Sequence, residues 1–465
     1  MLTIFFDRES TVPLYEQLYT YIRNAIEKEE LKANEKLPSK RKLAVHLKIS
    51  VITVETAYNQ LIAEGYIISK PKVGFFVLPY VKLASFKTNG KISLIKTPKK
   101  NKYEIDFQTN QIDDLNFPYD KWAKIYREVL LDKYPKMINQ TDFQGAFRLR
   151  KCISSILFEY RGIETNPNQI VIGSGSEYLI SLLVMLLGRD KTFGVEEPGY
   201  LKNYNLYEHY GAFARTVGLD DFGIDLSKAG NCDVLHVTPS HQFPLGIVTP
   251  IARRMELLNW VYQNKTRYII EDDYDSEFRF SGNPIPALKS LDVHDRVIYL
   301  NSFSKSLSPS LRISFMVLPE HLMNIYSKQY SYFTCSVPLV TQLVLEEFIS
   351  SKNYERHLNK MRNIYKNKRD LLLTKIKNSQ ISDFVEIIGE EAGLHFLLRV
   401  NKSVSVKELI EAAKQESVRV YGIDEYYIGN HYIESEKLVI LGYSHLEKPD
   451  FTKAISKLEK AWLKL

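Results

Sequence analysis

The sequence has few of the features that mark secreted, metal-binding or membrane proteins. It contains three cysteines in 465 residues, and their wide separation argues against both a disulfide framework and a zinc site. Its longest mostly apolar run, 178–187, is far shorter than the roughly 20 residues that a membrane span needs. Charged residues interrupt the N-terminus before any long apolar region, which argues against a signal peptide. We therefore expect a cytoplasmic protein with no metal and no membrane contact.

Glycine and proline occur at ordinary levels, while acidic residues are missing from one stretch. The 21 glycines and 18 prolines exclude a collagen-like or low-complexity chain. At roughly 100–200 residues per domain, the length predicts two to four domains. Residues 81–103 hold seven lysines and no acid, which could supply the whole net charge of +7. We predict a basic linker over 81–104, between a domain at 1–80 and another at 105–465. The linker is either a solvated tether or one that also follows a phosphate backbone.

The first eighty residues contain three helix patterns followed by two short β-like runs. Apolar residues recur every four positions over 14–26, which predicts a helix with Thr11 as its cap. A second helix is predicted to start after Ser39, its N-cap, and a third follows the tight turn at 48–50. The two β-like runs lie within 66–77 and predict a two-stranded wing. The arrangement is a helix, a helix-turn-helix and a wing.

A winged helix-turn-helix places its third helix in a DNA major groove and its wing against phosphates. Five basic residues and no acid lie between positions 36 and 48, which suits phosphate contact. The same helices also suit a three-helix protein-interaction module. Helix spacing alone leaves these two functions evenly matched.

Local motifs favour DNA binding. Leu37-Pro-Ser-Lys-Arg-Lys-Leu-Ala, Ser50-Val-Ile-Thr-Val and Gly74-Phe-Phe-Val resemble the winged helix-turn-helix of GntR-type bacterial regulators, over about residues 10–78. The resemblance implies that Ser39 and Arg41 hold phosphate and that Ser50 and Thr53 begin the groove-facing helix. Many relatives carry arginine where this chain has Val51 and Glu55, so the operator sequence is not implied. With the neighbouring lysines, the predicted DNA-binding residues are Ser39, Lys40, Arg41, Ser50, Thr53, Lys70 and Lys72.

Beyond residue 105 the pattern alternates between helical and β-like segments. Four short apolar runs end in polar or glycine residues, at 169–173, 232–237, 267–273 and 296–301. Such runs predict buried parallel strands of an α/β sheet, whose carboxyl ends carry ligand-binding groups.

A lysine in a serine-rich turn, Lys305, follows the last of these runs. Such a lysine is ordinarily a solvated surface group, but an amine that forms a Schiff base needs a phosphate anchor near it. Ser302, Ser304 and Arg312 supply hydroxyl and guanidinium groups close by. A second anion cradle is predicted where a strand meets a helix, from the amides of Gly175, Ser176 and Glu177.

Three further side chains suit a pyridine ring. Asp272 ends a predicted strand and could keep a ring nitrogen protonated, which makes the ring an electron sink. Tyr274 could donate a hydrogen bond to a phenolic oxygen of the ring, and Tyr200 could stack on its face. Each residue alone has a structural explanation, as a capping acid, a core tyrosine or a turn aromatic.

Together these residues resemble the fold-type I, aspartate-aminotransferase-like family over about residues 105–465. The resemblance implies an α/β domain with pyridoxal 5′-phosphate (PLP) as its cofactor. The two halves in one chain resemble the MocR/GabR subfamily of GntR-type regulators, especially at Thr238-Pro-Ser-His-Gln-Phe-Pro-Leu-Gly and Ile270-Glu-Asp-Asp-Tyr-Asp-Ser-Glu-Phe. That resemblance implies a bacterial, nucleoid-associated homodimer, head-to-tail, on double-stranded operator DNA.

Two positions bear on catalysis. Enzymes of this fold usually carry an asparagine donor within Asn-Pro-x-Gly, where this chain has Phe243, and a substrate-carboxylate arginine where it has Ile440. Lys202 or Arg419 could replace that arginine. We therefore expect at most weak transaminase activity, and a regulator that senses either PLP or an amino compound that displaces Lys305. The alternatives are a working aminotransferase with an accessory DNA-binding module, or a DNA-binding dimer whose large domain is only a scaffold.

Overall fold

The computed structural model of the chain describes residues 4–8, 10–80, 103–109, 111–133, 141–280, 285–428 and 437–465. The chain divides into two compact units, Met1–Lys99 (the small unit) and Lys100–Leu465 (the large unit). Most of the predicted linker, 81–102, lies outside the described residues. Its last residue, Glu104, is part of the large unit, because its NH donates to the Ser417 carbonyl and its carboxylate pairs with Lys457. The bounds of the linker otherwise stay a prediction.

The small unit has three helices and a three-stranded sheet among its described residues. Its elements are α1 (Leu14–Glu27), β1 (Lys36–Leu37), α2 (Lys40–Leu47), α3 (Val51–Ala63), β2 (Ile67–Lys70) and β3 (Gly74–Val77). The predicted apolar stripe of α1 is largely buried, and the inner face of α3 packs into the same core. The inner face of α3 is buried in this core, and its outer face is exposed to solvent.

One local prediction for the small unit was wrong, and the predicted two-stranded wing gains a strand. Thr11 does not cap the first helix, since Pro13 occupies the N-cap position and no side-chain cap is made. The wing has a third strand, because Lys36 and Leu37 pair with Phe76 and Phe75. A two-residue strand is too short to show alternation in sequence, so only the pairing reveals it.

The large unit contains a mixed eight-stranded sheet and a smaller antiparallel sheet among its described residues. Its helices are α4 (Tyr119–Lys133), α5 (Phe147–Arg161), α6 (Ser176–Leu187), α7 (Leu201–His209), α8 (Ile251–Tyr262), α9 (Glu320–Gln329), α10 (Leu339–Ser350), α11 (Asn353–Lys377), α12 (Val406–Gln415) and α13 (Lys448–Trp462). Its strands are β4 (Ile105–Asp106), β5 (Ile170–Gly173), β6 (Thr192–Glu197), β7 (Phe213–Asp220), β8 (Gly223–Ile224), β9 (Val234–Val237), β10 (Tyr268–Asp272), β11 (Val297–Ser302), β12 (Ser314–Val317), β13 (Val385–Ile388), β14 (His395–Val400), β15 (Val418–Arg419), β16 (Tyr421–Gly422) and β17 (Leu438–Gly442).

The larger sheet has the order β5-β12-β11-β10-β9-β6-β7-β8. The strands predicted as parallel include β9, β10 and β11, which are adjacent and parallel. The expected strand β5 has no parallel neighbour, because β12 lies between β5 and β11 and runs antiparallel to both. Buried core clusters lie around this sheet, and the ends of β9 to β11 meet at one edge.

The smaller sheet has the order β13-β14-β17-β16, and β15 pairs with β4. Helices α12 and α13 share an apolar core with it. No helix within the described parts of the chain is long and apolar enough to cross a bilayer.

Candidate functional site

A cavity of about 310 Å³ opens in the large unit beside the carboxyl ends of β10 and β11. That volume is at the lower end of the range for small-molecule sites, roughly 300–1,000 Å³. All of the side chains predicted to bind the cofactor line this one cavity: Gly175, Ser176, Glu177, Tyr200, Asp272, Tyr274, Ser302, Ser304, Lys305 and Arg312. The fold therefore brings together residues that are up to 137 positions apart (312 − 175 = 137).

Lys305 lies just beyond β11, in the turn that leads to Arg312. Its ammonium Nζ donates to the carbonyl of the buried residue Thr109, 3.2 Å away. Burial lowers the pKa of Lys305 to about 8, and the nearby Asp275 carboxylate acts in the opposite direction. The amine is therefore neutral, and nucleophilic, in a larger fraction of molecules near neutral pH than an exposed lysine would be.

Asp272, the last residue of β10, is oriented by a histidine on the neighbouring strand. The Nε2 of His236 lies 3.3 Å from Oδ2 of Asp272, and its Nδ1 lies 2.7 Å from the hydroxyl of Tyr207. A tyrosine hydroxyl that donates to Nδ1 leaves the ring proton on Nε2, so that His236 donates to the carboxylate. His236 and Tyr207 are both buried, which holds this chain of hydrogen bonds in place.

The anion cradle lies at the N-terminus of α6. Gly175 has a φ of +107°, and a Cβ atom there would come within 2.2 Å of Nη2 of Arg312. The guanidinium therefore lies directly over the glycine, next to the first amides of the helix. Backbone amides at a helix N-terminus together with a guanidinium form an anion site.

A carboxylate of the chain already contacts this cradle. Oε2 of Glu177 lies 2.6 Å from Nη2 of Arg312, and Oε1 pairs with the ammonium of Lys202. Burial acts to raise the pKa of Glu177, but the hydrogen bonds from Lys202, its own backbone NH and Arg312 outweigh it and hold the pKa at about 2. Glu177 is consequently ionised at every physiological pH.

Aromatic side chains form one wall of the cavity. The ring of Phe243 packs edge-on against both Tyr200 and Tyr274, with centroid distances of 5.8 Å and 6.2 Å. Burial raises the pKa of Tyr274 well above its usual value, so its hydroxyl stays protonated, 3.0 Å from Nδ1 of His241. Phe243 contributes an apolar surface and no donor.

The residues considered for an effector carboxylate lie in different places. Ile440 is wholly buried in an apolar cluster with Leu397 and Tyr421. Lys202 lines the cavity, whereas Arg419 pairs with Asp106 and does not lie among its lining residues in the described chain.

The predicted DNA-binding residues of the small unit lie at two helix starts and in the wing. The hydroxyl of Ser39 caps α2 by accepting from the NH of Lys42, and that of Ser50 caps α3 by accepting from the NH of Thr53. Arg41 is exposed, as are Lys70 at the end of β2 and Lys72 in the turn of the wing. Lys40 differs, because its ammonium forms a 2.6 Å ion pair with Glu55 of α3.

Comparison with known families accounts for both units. Residues 14–77 match the family of bacterial regulatory proteins described as gntR, and residues 102–435 match aminotransferase class I and II. The chain belongs to the GntR-type regulators that carry an aminotransferase-like domain. It is a transcriptional regulator with a PLP-binding domain, and GntR-type winged helices bind operator DNA.

Similarity to relatives of this regulator family extends over nearly the whole chain. The chain is 38% identical over 464 residues to the HTH-type transcriptional regulator YdeL of Bacillus subtilis, which covers 99% of each chain. It is 29% identical to the probable rhizopine catabolism regulatory protein MocR of Rhizobium meliloti, over 99% of this chain and 96% of MocR. A kynurenine aminotransferase of Pyrococcus horikoshii has the same fold, with a TM-score of 0.68 and 23% identity over 78% of this chain and 92% of the enzyme.

The cavity of this GntR-type regulator fits PLP. It joins a lysine with a lowered pKa, a carboxylate at the end of β10 and an anion cradle that only glycine leaves open. These three groups match the aldehyde, the ring nitrogen and the phosphate of the cofactor.

Sequence reasoning missed three residues around the site. His236 supports Asp272, Thr109 accepts the hydrogen bond from Lys305, and the hydroxyl of Thr238 donates to Oε2 of Glu196 at 2.6 Å. His236 lies in β9 and Thr238 directly follows that strand, which is adjacent to β10. Their place at the end of a predicted strand was a usable signal, whereas nothing local marks Thr109.

Proposed function

We propose that this regulator is a homodimer that controls transcription from operator DNA in the bacterial cytoplasm, associated with the nucleoid. Its small unit would bind the operator, and its large unit would sense PLP or an amino compound through the cavity. The regulator class and the cofactor are given by the family. We propose the effector, the assembly and the role of each residue.

Different residues of the cavity would bind different parts of the cofactor. PLP, when bound, supplies an aldehyde that reacts with amines and a ring that accepts electrons. Lys305 would present a neutral amine, Asp272 would hold a proton on the ring nitrogen, and Tyr274 would donate to the ring's phenolic oxygen. Arg312 and the amides after Gly175 would bind the phosphate, with Ser302 and Ser304 beside them and Tyr200 against the ring.

The burial of Ile440 supports sensing over turnover. A transaminase must hold the carboxylate of each amino acid that it converts, and a planar guanidinium does so through two parallel hydrogen bonds. Ile440 is 0% exposed and surrounded by Leu397, Tyr421, Ile423 and Leu438, so no such clamp is available at this position. Lys202, a cation of the cavity wall, is paired with Glu177.

This arrangement favours PLP itself as the effector over an α-amino acid. The groups that would bind the cofactor are present, while a carboxylate clamp for an amino acid is missing from β17. A ligand changes the DNA-binding equilibrium only through its different affinity for two states of the protein. Binding of the cofactor, or release of Lys305 by an amino compound, would supply that difference.

We further propose a head-to-tail homodimer whose two winged helices occupy two half-sites. The fold-type I family that the large unit resembles is dimeric, with the active site at the subunit boundary. Dimeric helix-turn-helix proteins bind paired repeats. The operator would therefore contain two direct or inverted repeats. Analytical ultracentrifugation of the free chain and of its DNA complex tests this part.

The first experiment is a visible absorption spectrum of the purified full-length chain during titration with PLP. We expect a new visible band that Lys305→Ala abolishes, followed by a change in operator affinity on PLP addition in the unmodified chain only. A titration with amino compounds then shows whether any of them shifts the band and the affinity together. If no band forms, the cofactor roles assigned here are wrong.

Two competing functions make different predictions in the same assays. The presence of Lys305, Asp272 and Tyr274 in one cavity also suits a working aminotransferase, which would convert an amino donor and a keto acid at a steady rate. A large unit that is only a dimerisation scaffold would give Lys305→Ala the same regulation as the unmodified chain in a reporter assay. Ligand-dependent operator binding without turnover is the outcome that we expect.

A further inference from the structure

The first turn of α3 carries two aliphatic side chains that the small unit does not bury. Val51 is 42% exposed and Ile52 is 74% exposed, whereas Val54, Ala57 and Tyr58 on the opposite face are completely buried. Ser50 caps the helix immediately before them, so both side chains project from its N-terminal end. That end is the part of a recognition helix that meets base edges in the major groove.

The exposed face of α3 has no cation to offer to a base. The helix contains one charged residue, Glu55, and neither lysine nor arginine. Oε1 of Glu55 lies 2.6 Å from the ammonium of Lys40 on α2, so its charge is compensated within the protein. The commonest specific contact of a recognition helix, an arginine or lysine to guanine, is therefore unavailable from this helix.

Positive groups are exposed on two other elements of the small unit instead, the start of α2 and the wing. Arg41 and Lys42 are exposed in the first turn of α2, and Lys70 and Lys72 are exposed at the tip of the wing. Cations in these two elements suit contact with phosphates, which positions the helix without selecting a sequence. The distribution of charge and apolar surface thus matches DNA, with phosphate contacts at the sides and an apolar surface facing the bases.

We propose that Val51 and Ile52 contact the C5-methyl groups of thymines in the major groove, so that the operator half-site contains A·T pairs at these positions. The methyl group of thymine is the one apolar group that a base pair presents in that groove, and aliphatic side chains contact it. The inference deepens the proposed function, because it rests on operator binding by the small unit. It assigns the choice of sequence to two methyl-recognising residues.

The test begins with selection from a pool of random-sequence duplexes by the full-length chain, at one fixed salt concentration. Each conserved thymine of the selected duplex is then replaced by deoxyuridine, which removes only the methyl group. We expect the affinity to fall about fourfold for each methyl group contacted, the effect of exposing one apolar carbon. Replacements outside the contacted positions leave the affinity unchanged.

The variant Ile52→Ala, combined with the deoxyuridine replacements, completes a double-mutant cycle between the side chain and the methyl group. We expect it to bind the thymine duplex as weakly as the unmodified chain binds the duplex with deoxyuridine at the position that Ile52 contacts. It should lose discrimination at that position and keep it at the position that Val51 contacts. Its salt dependence stays unchanged, whereas Arg41→Ala reduces the slope of log affinity against log salt by about one. Ile251→Ala is the matched control, since Ile251 also lies in the first turn of a helix, α8, and is 61% exposed.

The outcomes separate this inference from the function on which it rests. Selection that enriches no sequence would overturn operator binding itself. Enrichment with full tolerance of deoxyuridine, or discrimination that survives at every thymine in Ile52→Ala, would overturn methyl recognition alone. A change in the association state of Ile52→Ala with unchanged discrimination would assign the aliphatic pair to a protein contact instead.

Discussion

The two units build their functional surfaces in opposite ways. In the small unit, the predicted DNA-binding residues lie within 39–72 and most are exposed at helix starts and in the wing. In the large unit, the cavity gathers side chains from 175 to 312, supported by buried groups such as His236 and Thr109. The same kind of interaction should therefore carry a different weight in each unit, because burial decides how strongly charges interact.

A buried ion pair in the large unit and a partly exposed one in the small unit give the largest expected contrast in stability. Arg161 and Asp273 are buried and 2.7 Å apart in the large unit, whereas Lys40 and Glu55 are partly exposed and 2.6 Å apart in the small unit. We expect Asp273→Ala to lower the free energy of unfolding by about 3–5 kcal/mol, because it leaves a buried guanidinium without its counter-ion. Glu55→Ala should lower it by less than about 1 kcal/mol.

Urea denaturation measures this contrast. All three tryptophans, Trp122, Trp260 and Trp462, belong to the large unit, so their fluorescence reports the Asp273 variant, while circular dichroism of the full chain reports the Glu55 variant. Asp273→Asn, which keeps the size of the side chain, is the milder companion variant. Equal losses for the two pairs would show that burial does not decide their weight here.

Two glycines in left-handed conformations give the next contrast. Gly175 lies in the anion cradle with a φ of +107°, and Gly65 follows α3 with a φ of +77° and open space around it. Alanine at either position should cost about 1 kcal/mol in stability through backbone strain. Only Gly175→Ala also displaces the guanidinium of Arg312, so we expect PLP affinity to fall roughly 10–100-fold, as for the loss of a charge-assisted hydrogen bond.

Thermal melts and PLP titrations of both glycine variants test that expectation. The Gly65 variant is the control for strain alone, and its PLP affinity should equal that of the unmodified chain. Unchanged PLP affinity in Gly175→Ala would show that the anion cradle does not bind the phosphate of PLP.

The lowered pKa of Lys305 predicts a specific pH dependence. Below pH 8 the neutral amine fraction rises about tenfold per pH unit, so the rate of PLP incorporation should rise with pH and level off above about pH 8. An exposed lysine would continue to gain until about pH 10. Since the Asp275 carboxylate acts to raise this pKa, Asp275→Asn should move the midpoint below pH 8.

Stopped-flow absorbance between pH 6 and pH 10 measures this rate. Glu177, with a pKa of about 2, keeps its charge throughout the range and adds no midpoint of its own. A midpoint near the ordinary lysine value would show that the amine is not buried in the working protein.

The smallest expected effect concerns the carboxylate in the cradle. Glu177 holds Arg312 and Lys202 where the phosphate is proposed to bind, so Glu177→Gln should tighten PLP binding about two- to fivefold, the range of a partly exposed ion pair. Glu416→Gln is the matched control, because Glu416 is also paired with two lysines, Lys460 and Lys464, away from the cavity. Weaker binding in Glu177→Gln would mean that Glu177 positions Arg312 for the phosphate.

Features that arise from residues close together in the chain can be predicted from the sequence alone. The spacing of apolar residues predicts the inner faces of α1 and α3. The cap at Ser39 marks where α2 begins, since capping depends on atoms three residues apart. The polar residues after each predicted strand could also be grouped, because parallel strands end at the same edge of a sheet. That reasoning groups Lys305, Asp272 and Arg312 in one predicted site.

Contacts between distant parts of the chain become visible only in the folded protein. The third strand of the wing exists because Lys36 pairs with Phe76, and the antiparallel β12 separates β5 from β11. The support of Asp272 by His236, and of Lys305 by Thr109 from 196 positions away, likewise has no local pattern. Strand register and side-chain burial arise from packing of the whole unit, and a periodicity read along the chain carries no information about which segments will meet.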